Sequence, residues 1–129
     1  MRYLTPQQVL FIHSNLINQT GGTHGVRNLG MLASAVARPR ASFGGENEDP
    51  SLFDKTATLL DSLINNHPFM DGNKRTGITA AAIMLRKNGY ILRVAPVELE
   101  SFTFTVALEH PPIETLVNWL KKYSIQNNQ

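Results

Sequence analysis

Nine consecutive residues, His67-Pro68-Phe69-Met70-Asp71-Gly72-Asn73-Lys74-Arg75, bring together a base, a carboxylate, a glycine turn and two cations. A histidine of ordinary pKa, near 6.5, can take a proton from an attacking hydroxyl at neutral pH. That service typically contributes ~10²–10⁴ in rate, so His67 is the candidate general base. Asp71 follows four residues later and suits Mg²⁺, an ion that takes one or two carboxylates together with water and phosphate oxygens. Gly72 lies where a loop must turn into a helix. The first amides of that helix, from Gly72 through Asn73 to Arg75, therefore point unpaired out of its positive end, a geometry that binds phosphate.

Lys74 adds a compact charge beside those amides, and Arg75 adds a planar fork able to hold two phosphate oxygens. Together they imply a polyphosphate, and with Asp71 a Mg²⁺-bound nucleotide. Pro68 restricts the approach to the loop and Phe69 anchors it by pointing into the core, so these two are read as structural. Singly, each feature is commonplace: a histidine near a helix end is usually a cap or core residue, and Gly-Asn is usually a turn. Packing, however, requires neither Lys74 nor Asp71, and their coincidence within one short stretch points to a site.

The elements around this stretch are helical. Thr5-Pro6-Gln7-Gln8 reads as a capping box with proline at the first helical position, and Val9, Leu10, His13, Leu16 and Ile17 recur at helical spacing until Thr20-Gly21-Gly22. Residues 23–28 read as a loop. Leu29, Leu32, Ala33, Val36 and Ala37 then form a short apolar helix that must stop before Pro39. Residues 38–50 contain Pro39, Gly44-Gly45 and the acidic Glu46, Glu48 and Asp49, which predicts an exposed flap.

Asp49-Pro50 can cap the next helix, whose Leu52, Phe53, Thr56, Leu59, Leu60, Leu63 and Ile64 lead directly to His67. After the motif, Ile78 and the run Ala80 to Leu85 cover most of a helix circumference, which predicts a central helix ending at Arg86-Lys87-Asn88-Gly89. Tyr90 to Val94 is a short extended segment. A helix with Leu99, Phe102 and Val106 follows, then a break at Pro111-Pro112 and a last helix with Ile113, Leu116, Val117 and Leu120. The polar tail from Gln126 to Gln129 is expected to fray.

The length of 129 residues fits a single domain spanning 1–129, able to bury roughly two-thirds of its unfolded surface. Cysteine is absent, which excludes disulfides and thiolate metal sites and makes a cytoplasmic location the default. The N-terminus lacks the features of a signal peptide and no apolar stretch approaches the ~20 residues of a membrane span, so a soluble protein is expected. A net charge of +2 is mildly basic, but the Lys and Arg residues are scattered, which gives nucleic-acid binding no positive support.

The motif resembles that of the Fic/Doc superfamily, His-x-Phe-x-Asp/Glu-Gly/Ala-Asn-x-Arg, with every fixed position met. The likeness extends through Tyr3-Leu4-Thr5, Gly21-Gly22, Gly25-Val26-Arg27, the Leu32 to Pro39 segment, Asn66 to Thr76 and Asn88-Gly89, which are similar to the death-on-curing (Doc) toxin branch. That resemblance implies a compact all-α helical bundle with a flap before the motif loop and a central helix after it. Fic adenylyltransferases continue as Gly-Asn-Gly-Arg-x-x-Arg, where this chain has Lys74 and Ile78 at the second Gly and second Arg. An apolar Ile78 cannot hold a phosphate, and the adenylylating pose loses a contact of the kind worth ~1.5–3 kcal/mol.

Lys74 is characteristic of Doc, which the resemblance says binds ATP in the reversed sense and transfers its γ-phosphate; Gly72 is shared with the adenylylating branch. The implied enzyme is a toxin-like protein kinase using Mg-ATP. His67 deprotonates a Ser or Thr hydroxyl, Asp71 holds Mg²⁺, and Asn73, Lys74, Arg75 and the loop amides stabilise the transferring phosphoryl. The implied target is a translation elongation factor. Alternatives are AMP transfer by a Fic-type adenylyltransferase, and a non-catalytic relic that binds nucleotide or antitoxin.

The flap, here Arg38, Ser42, Phe43, Gly44 and Gly45, could pair with an extended target segment, although a merely solvated loop accounts for it equally well. Arg27 and Arg38 are candidates to reach the phosphates or the flap, whereas His13, His24 and His110 have no partner pattern and are expected to lie outside the catalysis. Ser42 to Asn47 matches the Ser/Thr-x-x-x-Glu-Gly/Asn inhibitory pattern of Fic proteins by coincidence, since two adjacent glycines cost roughly 2 kcal/mol of helix propensity. Control is therefore expected in trans, from a Phd-type antitoxin whose C-terminal segment folds onto the apolar faces near the first helix and the flap.

Overall fold

Thr5 starts the first helix as the sequence predicts: its hydroxyl accepts from the Gln8 amide while the Gln8 side chain accepts from the Thr5 amide at 2.8 Å. The computed structural model describes residues 1–41 and 51–127. Within them, helices α1 (Pro6–Thr20), α2 (Leu29–Ala37), α3 (Leu52–Asn65), α4 (Asn73–Lys87), α5 (Pro96–Glu109) and α6 (Ile113–Tyr123) follow in order. A 3-10 turn at Arg38–Arg40 follows α2, and strands β1 (Tyr90–Leu92) and β2 (Ser124–Gln126) form a small antiparallel ribbon. The fold is all-α in class, with the ribbon tying the chain after α4 to the end of α6.

The α3 and α4 pair forms the middle of the molecule, with α1 and α2 against one side and α5 and α6 against the other. On the first side Val9, Ile12, Leu32 and Val36 pack with Leu59, Leu63, Phe69 and Met84. On the second, Phe102, Val106, Leu116 and Leu120 pack with Leu60, Ile64, Ile78 and Leu85. Each fully buried side chain of this size stabilises by roughly 1.5–3 kcal/mol relative to exposure. Gly77 permits the close approach of the central pair, since a Cβ there would stand 2.9 Å from Ile64 Cγ1.

Four details depart from the sequence reading. The cap of α3 is Ser51, in a reciprocal box with Asp54, instead of Asp49; the hydroxyl of Ser51 and the carboxylate of Asp54 each accept from the other's amide. The buried stripe of α2 is Leu32, Ala35 and Val36, while Leu29, Ala33 and Ala37 are exposed, because a nine-residue helix can bury only one face. The expected fraying at Gln126 does not occur: it pairs with Tyr90, and the Asn127 amide donates to Gly89 O at 2.8 Å. Arg38 closes α2 and ion-pairs with Asp61 at 2.9 Å while donating to Ser62 Oγ, so it braces α2 on α3 and is not a flap residue. The remaining flap residues, Ser42, Phe43, Gly44 and Gly45, lie outside the described residues.

Candidate active site

The motif loop begins where α3 runs out of hydrogen-bond partners. Asn66 caps that helix, and His67 follows with φ +48°, the left-handed turn usually taken there by glycine. The exposed Arg27 guanidinium supplies what the helix end lacks, Nε donating to His67 O at 2.6 Å and an Nη to Asn66 O at 2.8 Å. Around it, residues 25–28 run alongside the loop. The Arg27 and Asn28 amides both donate to Pro68 O, Met70 donates to Gly25 O, and Val26 bridges Phe69. His67 itself is exposed, and its ring makes no hydrogen bond among the described residues. Its main chain is fixed while its imidazole is open to solvent.

Phe69 is buried, as the sequence predicts, and what it meets is the ring of His13 from α1, 3.8 Å between centroids and 5° from parallel. The same buried His13 donates from Nε2 to Asp71 O at 2.8 Å. Asn73 closes the loop from the other end: its side-chain oxygen accepts from Phe69 N and its amide donates to Phe69 O. The side chain expected at the phosphates is thus committed to the loop, which leaves Asn73 only its main-chain amide to offer at the helix start. No side chain caps α4.

The half-exposed Asp71 carboxylate accepts from Thr23 N at 3.1 Å through one oxygen and from Gly72 N at 2.8 Å through the other. The Thr23 amide, then the Gly72 amide, hold its pKa below the ordinary aspartate range against a partial burial that raises it, with the charges of Arg75 and His13 adding to the lowering. Gly22 leaves the space for this carboxylate, as a Cβ there would stand 2.6 Å from Asp71 Oδ2. Each oxygen keeps a lone pair beyond these bonds. Among the described residues no cluster of three or more His, Asp or Glu surrounds it, so a hard cation held here would complete its shell with water and ligand oxygens. That donor set fits Mg²⁺.

The two cations diverge. Arg75 is exposed and its guanidinium donates to Thr20 Oγ1 at the end of α1, while Lys74 rests its ammonium over the Phe104 ring of α5, 5.0 Å from the centroid. Both line a cleft of about 510 Å³ between α4 and α5, with Ile78, Leu99, Glu100 and Phe104 among its walls. Ile78 is buried at the floor of that cleft.

Chemically, the loop and the start of α4 carry an exposed imidazole, a carboxylate held below its ordinary pKa, a helix start with no side-chain cap and two cations. Sequence reasoning missed Arg27 as the clamp of the loop, and His13, Gly22 and Thr23 as its supports. The one available signal was composition: a histidine on the apolar face of α1 needs a buried partner, and the loop carbonyls are such partners. Of the other histidines, His24 pairs with Asn18 Oδ1 at 2.9 Å.

A model of the Fic/DOC family matches residues 3–85, and the chain belongs to that family. It is 30% identical over 122 residues to Protein kinase doc of Escherichia phage P1, an alignment that covers 95% of each chain. It is 51% identical over 69 residues to Toxin Doc of Mycolicibacterium smegmatis (strain ATCC 700084 / mc(2)155), covering 54% of this chain and 53% of that one. The chain thus spans about half the length of the mycobacterial relative and nearly all of the phage protein.

Proposed function

We propose that this Fic/DOC family member is a toxin-type protein kinase that transfers the γ-phosphate of ATP to a Ser or Thr hydroxyl of a protein, by resemblance a translation elongation factor. The observation that carries the reading is the exposed imidazole of His67, set in a left-handed turn whose two carbonyls Arg27 clamps, beside an uncapped α4 start. An imidazole so free of partners suits a base. In the step it would perform, the hydroxyl oxygen bonds to the γ-phosphorus, the bond from that phosphorus to the β–γ bridging oxygen breaks, and ADP leaves. The hydroxyl proton passes to His67.

Asp71 would hold Mg²⁺, which when bound neutralises charge on the phosphate oxygens. The main-chain amides of Asn73, Lys74 and Arg75 would face the phosphates, with Lys74 and Arg75 supplying full charges from either side. The buried, apolar Ile78 favours γ-transfer over AMP transfer, because it offers nothing to an α-phosphate. A toxin of this kind needs restraint, and a Phd-type antitoxin acting in trans is the partner proposed. ATP labelled separately at its α and γ positions tests the reading. Label passing from γ to a protein supports it, whereas transfer of α label, or of none, overturns it.

A further inference from the structure

The Asp71–Gly72 peptide is pinned at both ends. Its carbonyl accepts from His13 Nε2 at 2.8 Å, and its N–H donates to the Asp71 carboxylate at 2.8 Å. Because a carbonyl can only accept, Nε2 of His13 carries a proton. Gly72 has φ +76°, and glycine tolerates the opposite sign of φ about as well, so the residue that permits the turn also permits this peptide to rotate. Rotation would swing the carbonyl oxygen toward the Asp71 carboxylate and turn the amide away. A carbonyl oxygen would then face the carboxylate where an N–H now donates, and the carboxylate would lose one of the two amides that fix its position at the α4 start.

We propose that His13 is a positioning residue for phosphate and metal binding: its Nε2–H latches the Asp71–Gly72 peptide in the one orientation that leaves the α4 start able to accept an anion. The role rests on the kinase reading for its purpose, but not for its geometry. His13 is suited to it because its ring is held on two sides. It is buried on α1 and stacked on Phe69, so the donor cannot swing away. Exposed partners such as water would not select between the two peptide orientations, since water satisfies either.

Two variants separate the hydrogen bond from the stack. His13→Phe keeps a ring against Phe69 and removes the donor; His13→Gln keeps an N–H near the position of Nε2 and removes the ring. In ¹⁵N-labelled full-length protein, His13→Phe is expected to displace the Gly72 and Thr23 amide resonances, while His13→Gln keeps them near their wild-type positions. With Mg-ATP, His13→Phe is expected to raise KM about tenfold with a smaller change in kcat, and His13→Gln to stay within about threefold of wild type. Unchanged Gly72 and Thr23 amides in His13→Phe overturn the latch, and so do equal effects of the two variants. The amide readout needs no turnover, so a protein that transfers no phosphate overturns the kinase reading and leaves the latch to be decided by the resonances.

Discussion

Arg27 Nε donates to the main-chain oxygen of His67 at 2.6 Å, so the one side chain proposed to move a proton is steadied through its backbone by a residue forty positions earlier. The second bond of the same guanidinium, to Asn66 O, makes it the cap of α3 as well. Arg27→Ala leaves two carbonyls to water, which at this exposed site costs only about 1 kcal/mol. Activity is expected to fall much further, at least about tenfold, because a base displaced by an ångström loses its alignment. Arg27→Lys, with a point charge in place of a fork, recovers only part of the loss. Thermal unfolding and turnover measured on the same samples check this: a parallel fall in both assigns Arg27 to stability alone.

His67 is a poor residue for the turn it occupies. Non-glycine residues in left-handed backbone carry strain of order 1 kcal/mol, which persists where surroundings over-determine it. His67→Gly is therefore expected to raise unfolding stability by about 1 kcal/mol while transfer drops by ~10²–10⁴. His67→Ala should lose the same activity with no gain in stability, and both variants should keep nucleotide binding. A His67→Gly protein less stable than wild type would show that the turn is not strained.

Gly77 tests the packing that brings α3 to the motif at the right height. In an exposed helix, glycine to alanine gains up to about 1 kcal/mol. Here the new methyl would meet Ile64 Cγ1 at 2.9 Å and Leu60 Cδ1 at 3.5 Å, and overpacking of this kind costs about 1–3 kcal/mol. The clash exceeds the propensity gain, so Gly77→Ala should lower the urea midpoint. A raised midpoint would mean the helices can part without cost.

Much of this architecture was legible in the chain because local rules and global packing agree. The Thr5 box, the glycine end of α1, the stop before Pro39 and the α4 start at Asn73 each follow from a nearby residue with a mechanical reason to be there. The motif was legible because its residue types have no packing rationale. What was not legible is long-range and made by main-chain groups: Arg27 reaches carbonyls of Asn66 and His67, and His13 reaches the carbonyl of Asp71 across 58 positions. Carbonyls belong to every residue, so no residue type marks them. Asn73 misled for the related reason that its amide suits a phosphate and a peptide equally well, and the nearer peptide of Phe69 takes both of its atoms.

Gly22 gives a separate handle on Asp71. Its φ of +117° already disfavours a side chain, and a methyl there would fall 2.6 Å from Asp71 Oδ2. Gly22→Ala should push the carboxylate off the Thr23 amide and weaken Mg²⁺-dependent nucleotide binding, most visibly at low Mg²⁺. Calorimetric titration of Mg-ATP at low and high Mg²⁺ checks it. An affinity unchanged at both concentrations would remove Asp71 from metal binding.

The acid limb of stability should report Asp71. The Thr23 and Gly72 amides are the largest causes that hold its folded pKa below the unfolded value of about 3.9, so the unfolded chain takes up the proton first as pH falls. A depressed carboxylate contributes stability that is fully present above the unfolded value and is lost as pH falls through the folded one. Asp71→Asn does not titrate and lacks that component. The stability difference between wild type and Asp71→Asn is therefore expected to stay level from pH 8 to about pH 5 and to shrink below about pH 4. Denaturant melts across that range measure it directly. Should the difference instead change between pH 6 and 7 and stay level below pH 4, Asp71 would not be the group responsible, and the amide bonds to it would not be what holds the loop in place.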